Sequence, residues 1–384
     1  MRDTARRLLA AAAGVLALTG LPYLLFVGLY ALLRPDGSPA RKRPCEPTVS
    51  VVVPTYNEAR IVENKLEEIV SLDYPMERVE VVVADASDDA TPEVVRSFFA
   101  DRESPSLTLL HDDERRGVAA ALNDAIEAAT GDVVFRTDAD SSLAPDVLHE
   151  AVANLADPDV GAVTGRQVEV LGDSAVESDY RDLIARLQSV ESRLDSTFIC
   201  HGPCFAFERE EFVPVPEDTI ADDTAVGVAI RRAGKRVVMD PALRFTESGT
   251  SSFGKRRVRK DRRAMGLLQL LVRHRDALGR YGLYGGAVLP FNWWFMVVSP
   301  WLFALGAALT SLAALTLAGP FGLVVPLGLV SFVYLGQRDA LGPLQPPYAV
   351  VDSQVSLLIA AVRLLTEEGH GVWEVDRESR EAFE

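Results

Sequence analysis

Two carboxylates one residue apart, Asp138 and Asp140, end the segment Arg136-Thr137-Asp138-Ala139-Asp140, just past a short apolar run. Side chains at i and i+2 of an extended backbone point the same way, so both can approach one cation. A hard divalent ion held by few carboxylates keeps coordination positions open for the phosphates of a substrate. The plain alternative is a solvated acidic turn. A second acidic pair, Asp222 and Asp223, stands ahead of an amphipathic run, Ala225 to Ala233. Carboxylates so placed cap a helix. Side by side they also raise one pKa, which suits a general base. Cys200, His201 and Cys204 offer softer ligands, but a fourth is lacking nearby and their spacing fits no usual zinc pattern. They read as a buried cysteine pair beside a substrate loop.

These residues need a scaffold, and the pattern around them supplies one. Val49–Val53, Val79–Ala84, Leu107–Leu110 and Asp132–Phe135 are short β-branched or apolar runs that read as strands. Glu58–Leu72, Thr91–Ala100 and Gly117–Ala129 read as the helices between them. The alternation predicts an α/β domain with a mostly parallel, Rossmann-like sheet and helices on both faces. Such sheets bind ligands at the carboxyl ends of their strands. Pro54, Thr55, Tyr56, Asn57 and Glu58 follow the first strand, Asp85 the second, and Asp138 and Asp140 the fourth. A cap on the helix that starts at Thr91 is the other use for Asp85, although Ser87 or Asp89 would serve equally.

Composition narrows the class further. The 384 residues carry a net charge of −16, with 34 Arg against 5 Lys. Acidity with so little lysine resembles proteins that fold in concentrated salt, where screening tempers self-repulsion. It argues against nucleic acid as a partner. Three cysteines make no disulfide framework, which fits a reducing, cytoplasmic surrounding for the central domain. Leu8 to Leu33 is uncharged and long enough to cross a bilayer of roughly 30 Å. Arginines flank it on both sides, with a slight excess after it, so the charge rule leans only gently toward a cytoplasmic domain. Two further spans are expected at about 291–317 and 319–336. Tyr348 to Leu365 holds Asp352 and Gln354, so it reads as either a third span or an interfacial helix. The expected organisation is an anchor at 1–34, a tether at 35–47 and a catalytic domain at 48–264. An interfacial segment at 265–290, membrane or interfacial helices at 291–366 and an acidic tail at 367–384 complete it.

Four segments in order resemble an inverting family 2 glycosyltransferase of GT-A fold. They are Val49-Ser50-Val51-Val52-Val53-Pro54-Thr55-Tyr56-Asn57-Glu58, Ala84-Asp85-Ala86-Ser87-Asp88-Asp89-Ala90-Thr91, the helix opening Gly117-Val118-Ala119-Ala120-Ala121-Leu122-Asn123, and the Asp138/Asp140 motif. The resemblance covers roughly residues 48 to 246 and implies a nucleotide-sugar donor, UDP- or GDP-linked. It implies Mg2+ or Mn2+ on the diphosphate, held first by Asp140 with Asp138 supporting it or contacting ribose. Pro54, Thr55, Tyr56, Asn57, Glu58, Arg116 and Asn123 would line the nucleotide pocket, and Asp85 would accept a hydrogen bond from the base. Asp223 would be the base that activates the acceptor, with Asp222 beside it. His201, Gly202 and Cys204 fall in the acceptor-side loop.

The chain also departs from the family. Lys255 to Arg263 carries seven positive charges in nine residues, where processive synthases have a Gln-x-x-Arg-Trp motif. Arg262 keeps the arginine and is a candidate for the diphosphate, but Arg263 stands where the tryptophan would be. The cluster also suits anionic headgroups of membrane lipids. Val118 stands where relatives often place lysine. Gly371-Val372-Trp373-Glu374 resembles a motif that follows the last membrane segment of many members. The expected activity is therefore sugar transfer to a lipid-linked or glycan acceptor. A processive polysaccharide synthase and a non-catalytic glycan-binding subunit are the competing readings. Nucleotidyl transfer would need a glycine-rich basic loop after the first strand, and Pro54–Glu58 is neither.

Overall fold

The computed structural model describes residues 2–33, 37–171, 175–248, 253–338 and 340–366. The expected motif at Gly371–Glu374 and the acidic tail lie outside them. The first half of the catalytic domain is built of β1 (Val49–Thr55), α1 (Val62–Val70), β2 (Val79–Asp85), α2 (Thr91–Phe99), β3 (Ser106–His111), α3 (Val118–Ala128) and β4 (Val133–Arg136). Strands β3, β2, β1 and β4 lie side by side in parallel, with Thr55 opposite Asp85 and Asp85 opposite His111. The second half adds β5 (Ser141–Leu143), α4 (Val147–Leu155), β6 (Val160–Leu171), α5 (Ala175–Leu194), β7 (Phe205–Glu208), α6 (Asp222–Ala233) and β8 (Arg236–Ser248). The sheet runs β3-β2-β1-β4-β7-β6-β8-β5, with β7 antiparallel to both of its neighbours.

Alternate valines of β1 and β2 enter opposite layers because successive strand side chains point to opposite faces. Val52 and Val82 pack with Leu122, Ile126, Val226 and Ile230 under α3 and α6. Val51, Val53, Val81 and Val83 pack with Leu66, Ile69, Val95 and Leu148 under α1, α2 and α4. Burying each such side chain contributes about 1.5–3 kcal/mol. The first helix begins later than its apolar pattern predicts, at Val62 instead of Glu58. Hydrogen bonds from the second strand's loop hold the intervening backbone: Ser87 Oγ, Thr91 Oγ1 and Asp89 accept from the N–H groups of Asn57, Glu58 and Ala59. Asn57 sits there at φ +58°, a value that asparagine tolerates better than most residues. The segment before β1 lies along the domain, with Arg41 on Asp157, Lys42 on Asp240 and Tyr74 Oη on the Pro47 carbonyl.

Among the described residues, three helical regions are long and apolar enough to cross a membrane: Arg2–Leu33, Tyr284–Gly336 and Pro347–Thr366. The second bends back at Gly319–Leu323, where Gly319 has φ +57°. Leu16 of the first nests on Gly306 of the second, and the Tyr348 ring of the third lies against Gly336. Leu24, Leu32, Phe321, Val324 and Val330 point outward and are mostly exposed. Phe26 packs with Leu187 and Val190 of α5 and with Phe291, which joins this helical layer to the catalytic domain.

The helix α7 (Phe253–Arg273) runs continuously through position 264. Its second half carries Met265, Leu268, Leu270 and Leu271 into the core under the sheet. Its charges divide between two faces. Arg257 and Lys260 pair with Asp352 of the last helix, at 2.8 and 3.0 Å, while Arg259, Arg262 and Arg263 face a cavity. The i, i+3, i+4 spacing of those three places them on one side of the helix.

Candidate active site

A cavity of about 910 Å³ opens at the carboxyl ends of β1, β2, β3 and β4 and is closed on one side by α7. Asp138, Asp140, Asp222 and Asp223 all line it, so the two acidic pairs converge as expected. Between them lies Arg136, the last residue of β4, with a guanidinium 3.2 Å from Asp138 and 3.4 Å from Asp222. That cation is 6% exposed and holds its charge firmly: burial opposes it, but Asp138, Asp222, Asp223 and Asp140 together outweigh the cost. Burial, reinforced by Asp140 and Asp222, pushes Asp138 up to about 6 in spite of Arg136. Burial and Asp223 likewise raise Asp222. Carboxylates crowded to this degree favour a further cation.

Asp223 sits in the first turn of α6. Its Oδ2 accepts from the Gly202 N–H at 2.7 Å, and its Oδ1 accepts from Thr224 N at 2.6 Å. Those contacts fix the side chain while it faces the cavity. Across the cavity, Arg259 stands 3.9 Å from Asp140, and Arg263 pairs with Glu247 at 3.2 Å. Glu247, partly buried at the end of β8, is held below the usual carboxylate range because Arg263, Arg259 and His201 outweigh its desolvation. Burial and repulsion from Arg263 and Arg259 lower the pKa of Arg262. Arg259, Arg263 and Glu247 are wall residues beyond those expected. The i, i+3, i+4 arginine pattern was the available signal for two of them, and none marked Glu247.

On the nucleotide side, Pro54, Thr55, Tyr56, Glu58, Asp85 and Arg116 line the cavity as expected. Arg116 is drawn to Asp112, at 2.7 Å, and to Asp124. The Arg115 guanidinium lies 3.9 Å over the Tyr56 ring. Asp89, not Asp85, accepts from the Thr91 N–H at the start of α2, at 2.9 Å. Four expected residues stand elsewhere. The Asn57 side chain accepts from Asp88 N, and Asn123 clasps the backbone of Val215 through both its amide atoms. His201 meets Gln188, at 3.1 Å, and Phe245, with burial lowering its pKa to about 4. Cys204 lies in the layer under α1, α2 and α4, whereas Cys200 lies in the opposite one. The sheet therefore separates the two thiols, and burial raises the pKa of both. Of the acceptor-side loop, Gly202 reaches the cavity wall, beside Pro203.

Comparison with known proteins places this arrangement. The model for "Glycosyl transferase family 2" matches residues 50–212, and that for "Glycosyl transferase family group 2" matches residues 133–335. The chain belongs to glycosyl transferase family 2. Its fold is GT-A, with apolar helices added, and the chain is similar to the mannosyltransferase PcManGT of Pyrobaculum calidifontis, solved in complex with GDP-Man and Mn2+. That structure is 33% identical, with a TM-score of 0.79, over 94% of this chain and 100% of the other. An N-acetylglucosaminyltransferase of Rhizobium meliloti is 32% identical over 211 residues, 52% of this chain and 49% of the relative. The glycosyltransferase AglD of Haloferax volcanii is 34% identical over 227 residues, 53% of this chain and 35% of the relative. The matches thus span about half or less of these curated relatives. In this family 2 glycosyltransferase the Asp138/Asp140 pair follows β4 and faces the cavity.

Proposed function

We propose that this glycosyltransferase moves a sugar, with inversion, from a UDP- or GDP-linked donor to a lipid-linked or glycan acceptor at the cytoplasmic surface of a membrane. The observation that carries the reading is the convergence of two acidic pairs on one cavity across a single buried arginine. Asp140 and Asp138 would hold Mg2+ or Mn2+. Their oxygen-only donor set suits a hard cation, and the raised pKa of Asp138 marks a place where added positive charge is favourable. Bound there, such an ion would neutralise charge on the departing diphosphate. Arg259 and Arg262 face the same space and are suited to phosphate oxygens. Asp223, oriented by Gly202 N–H, would take the proton from the acceptor hydroxyl. Arg136 keeps Asp222 and Asp138 in place and compensates their charge. Support for a GDP-linked donor comes from PcManGT, which aligns along nearly the whole chain. The apolar helices beside the domain favour an acceptor delivered from the bilayer.

The deciding experiment is donor hydrolysis and binding by the detergent-purified protein, across UDP- and GDP-sugars, with Mg2+, Mn2+ or EDTA. Consumption of one donor in the presence of metal alone is the expected result. Absence of both turnover and metal-dependent binding for every donor would instead favour a scaffold subunit.

A further inference from the structure

We infer that His111 reads the nucleobase of the donor, and that Asp85 acts on the base only through it; this rests on the nucleotide-sugar reading above. Thr55, Asp85 and His111 are register partners at the carboxyl ends of β1, β2 and β3. Asp85 is 2% exposed, and both its oxygens are occupied. Oδ1 accepts from Thr55 Oγ1 at 2.7 Å and from Ser87 Oγ at 2.5 Å. Oδ2 accepts from Ser87 N at 3.3 Å and meets His111 Nδ1 at 2.7 Å. A carboxylate offers about four lone-pair directions, so a direct bond from Asp85 to a base would displace one of these partners.

His111 is placed to do what Asp85 is not. Its side chain is 30% exposed and lines the cavity. A carboxylate can only accept, so the proton between the two residues belongs to Nδ1. In the neutral ring, Nε2 then carries a lone pair, and among the described residues no protein group is paired with it. The position is also right along the sheet. β3 lies three strand spacings from β4, roughly 14 Å, which separates His111 from Asp138 and Asp140 by about the length of a nucleoside. A lone pair at that end of the cavity matches the ring N–H of guanine or uracil. Adenine and cytosine present a ring nitrogen lone pair on the same edge, so the two would repel. The Asp85–His111 pair thus selects donors whose base carries a ring N–H, by fixing which imidazole nitrogen accepts.

The test is competitive binding of GDP, UDP, ADP and CDP to the full chain in detergent with Mn2+, for the parent protein and three variants. The parent should prefer GDP or UDP over ADP and CDP by roughly tenfold or more, the usual worth of one satisfied against one opposed hydrogen bond. His111→Ala should bring the four nucleotides to similar affinity, by weakening GDP and UDP and by relieving the repulsion of ADP and CDP. His111→Gln, whose amide oxygen can accept, should restore part of the preference. Asp85→Asn can donate to Nδ1 and so move the proton to Nε2, which should raise ADP and CDP relative to GDP and UDP. A His111→Ala protein that keeps the parental ratios overturns the inference. A parent that binds all four equally overturns it too and leaves the transferase reading standing. A parent that binds none of them overturns both.

Discussion

A Cβ built on Gly202 would overlap Nη1 of Arg136, so the guanidinium occupies space that only a glycine leaves open. The acceptor-side loop and the end of β4 are therefore fitted to one another. Through Gly202 N–H the same residue also orients Asp223. One glycine thus positions the arginine that holds Asp138 and Asp222 and the carboxylate assigned as base. Gly202→Ala should expel Arg136 and lower kcat by about 10²-fold, the scale set by displacing catalytic groups by an ångström. The check is steady-state kinetics beside a melting curve. An unchanged kcat in a folded variant would show that Arg136 has another resting place.

Asp140→Asn tests the metal assignment. Asp140 lies on the cavity wall with Arg259 3.9 Å away. The variant should bind donor equally with Mn2+ and with EDTA, whereas the parent should bind more tightly with Mn2+. Calorimetric titration of the donor in both buffers reads this directly. A variant that keeps the parental metal dependence would move the ion to other ligands.

Asp223→Asn separates binding from chemistry. The Asn amide can still accept from Gly202 N–H, so the loop should hold its place while the proton acceptor is lost. Transfer should fall by about 10²–10⁴-fold, with donor affinity unchanged. Retained turnover would assign the base to Asp222, whose pKa burial already raises.

The parallel half of the fold was legible because each strand is a run of β-branched residues ended by polar ones. Boundaries were missed where polar residues extend a ladder: Thr55, Asp85 and His111 still pair, though no apolar pattern announces them. The acidic pairs were legible as types and spacings. Arg136 was named only as part of a motif, although an arginine at the end of an apolar strand beside two aspartates needs compensation. The sequence offers the basic cluster two uses, lipid headgroups and, through Arg262, the diphosphate, and helical geometry decides which charges go where. Arg257 and Lys260 meet Asp352, while Arg259, Arg262 and Arg263 line the cavity. Asn57, Asn123, His201 and Cys204 were carried by motif position. Their actual partners, Asp88, Val215, Gln188 and the core, depend on tertiary packing that a motif does not encode.

Glu191 gives a stability prediction at the junction between the catalytic domain and the apolar helices. It is buried on α5, where it accepts from Thr197 Oγ1, Phe198 N and Asn292 Nδ2. Thr197 and Phe198 lead into the Cys200–Cys204 loop, and Asn292 lies near the start of the second apolar helical region, so one carboxylate ties both to α5. Burial raises its pKa to about 7 even though the three donors favour the charged form. The folded state therefore binds this proton more tightly than the unfolded chain does. Between the ordinary carboxylate value and about 7, stability falls as pH rises, by something on the order of 3 kcal/mol from this group. Glu191→Gln removes the titration and keeps an acceptor oxygen. Melting temperature should drop more between pH 5 and pH 8 in the parent than in the variant, the window being that of the raised pKa. Parallel pH profiles for the two proteins would mean that Glu191 stays charged in the folded state, satisfied by its three donors.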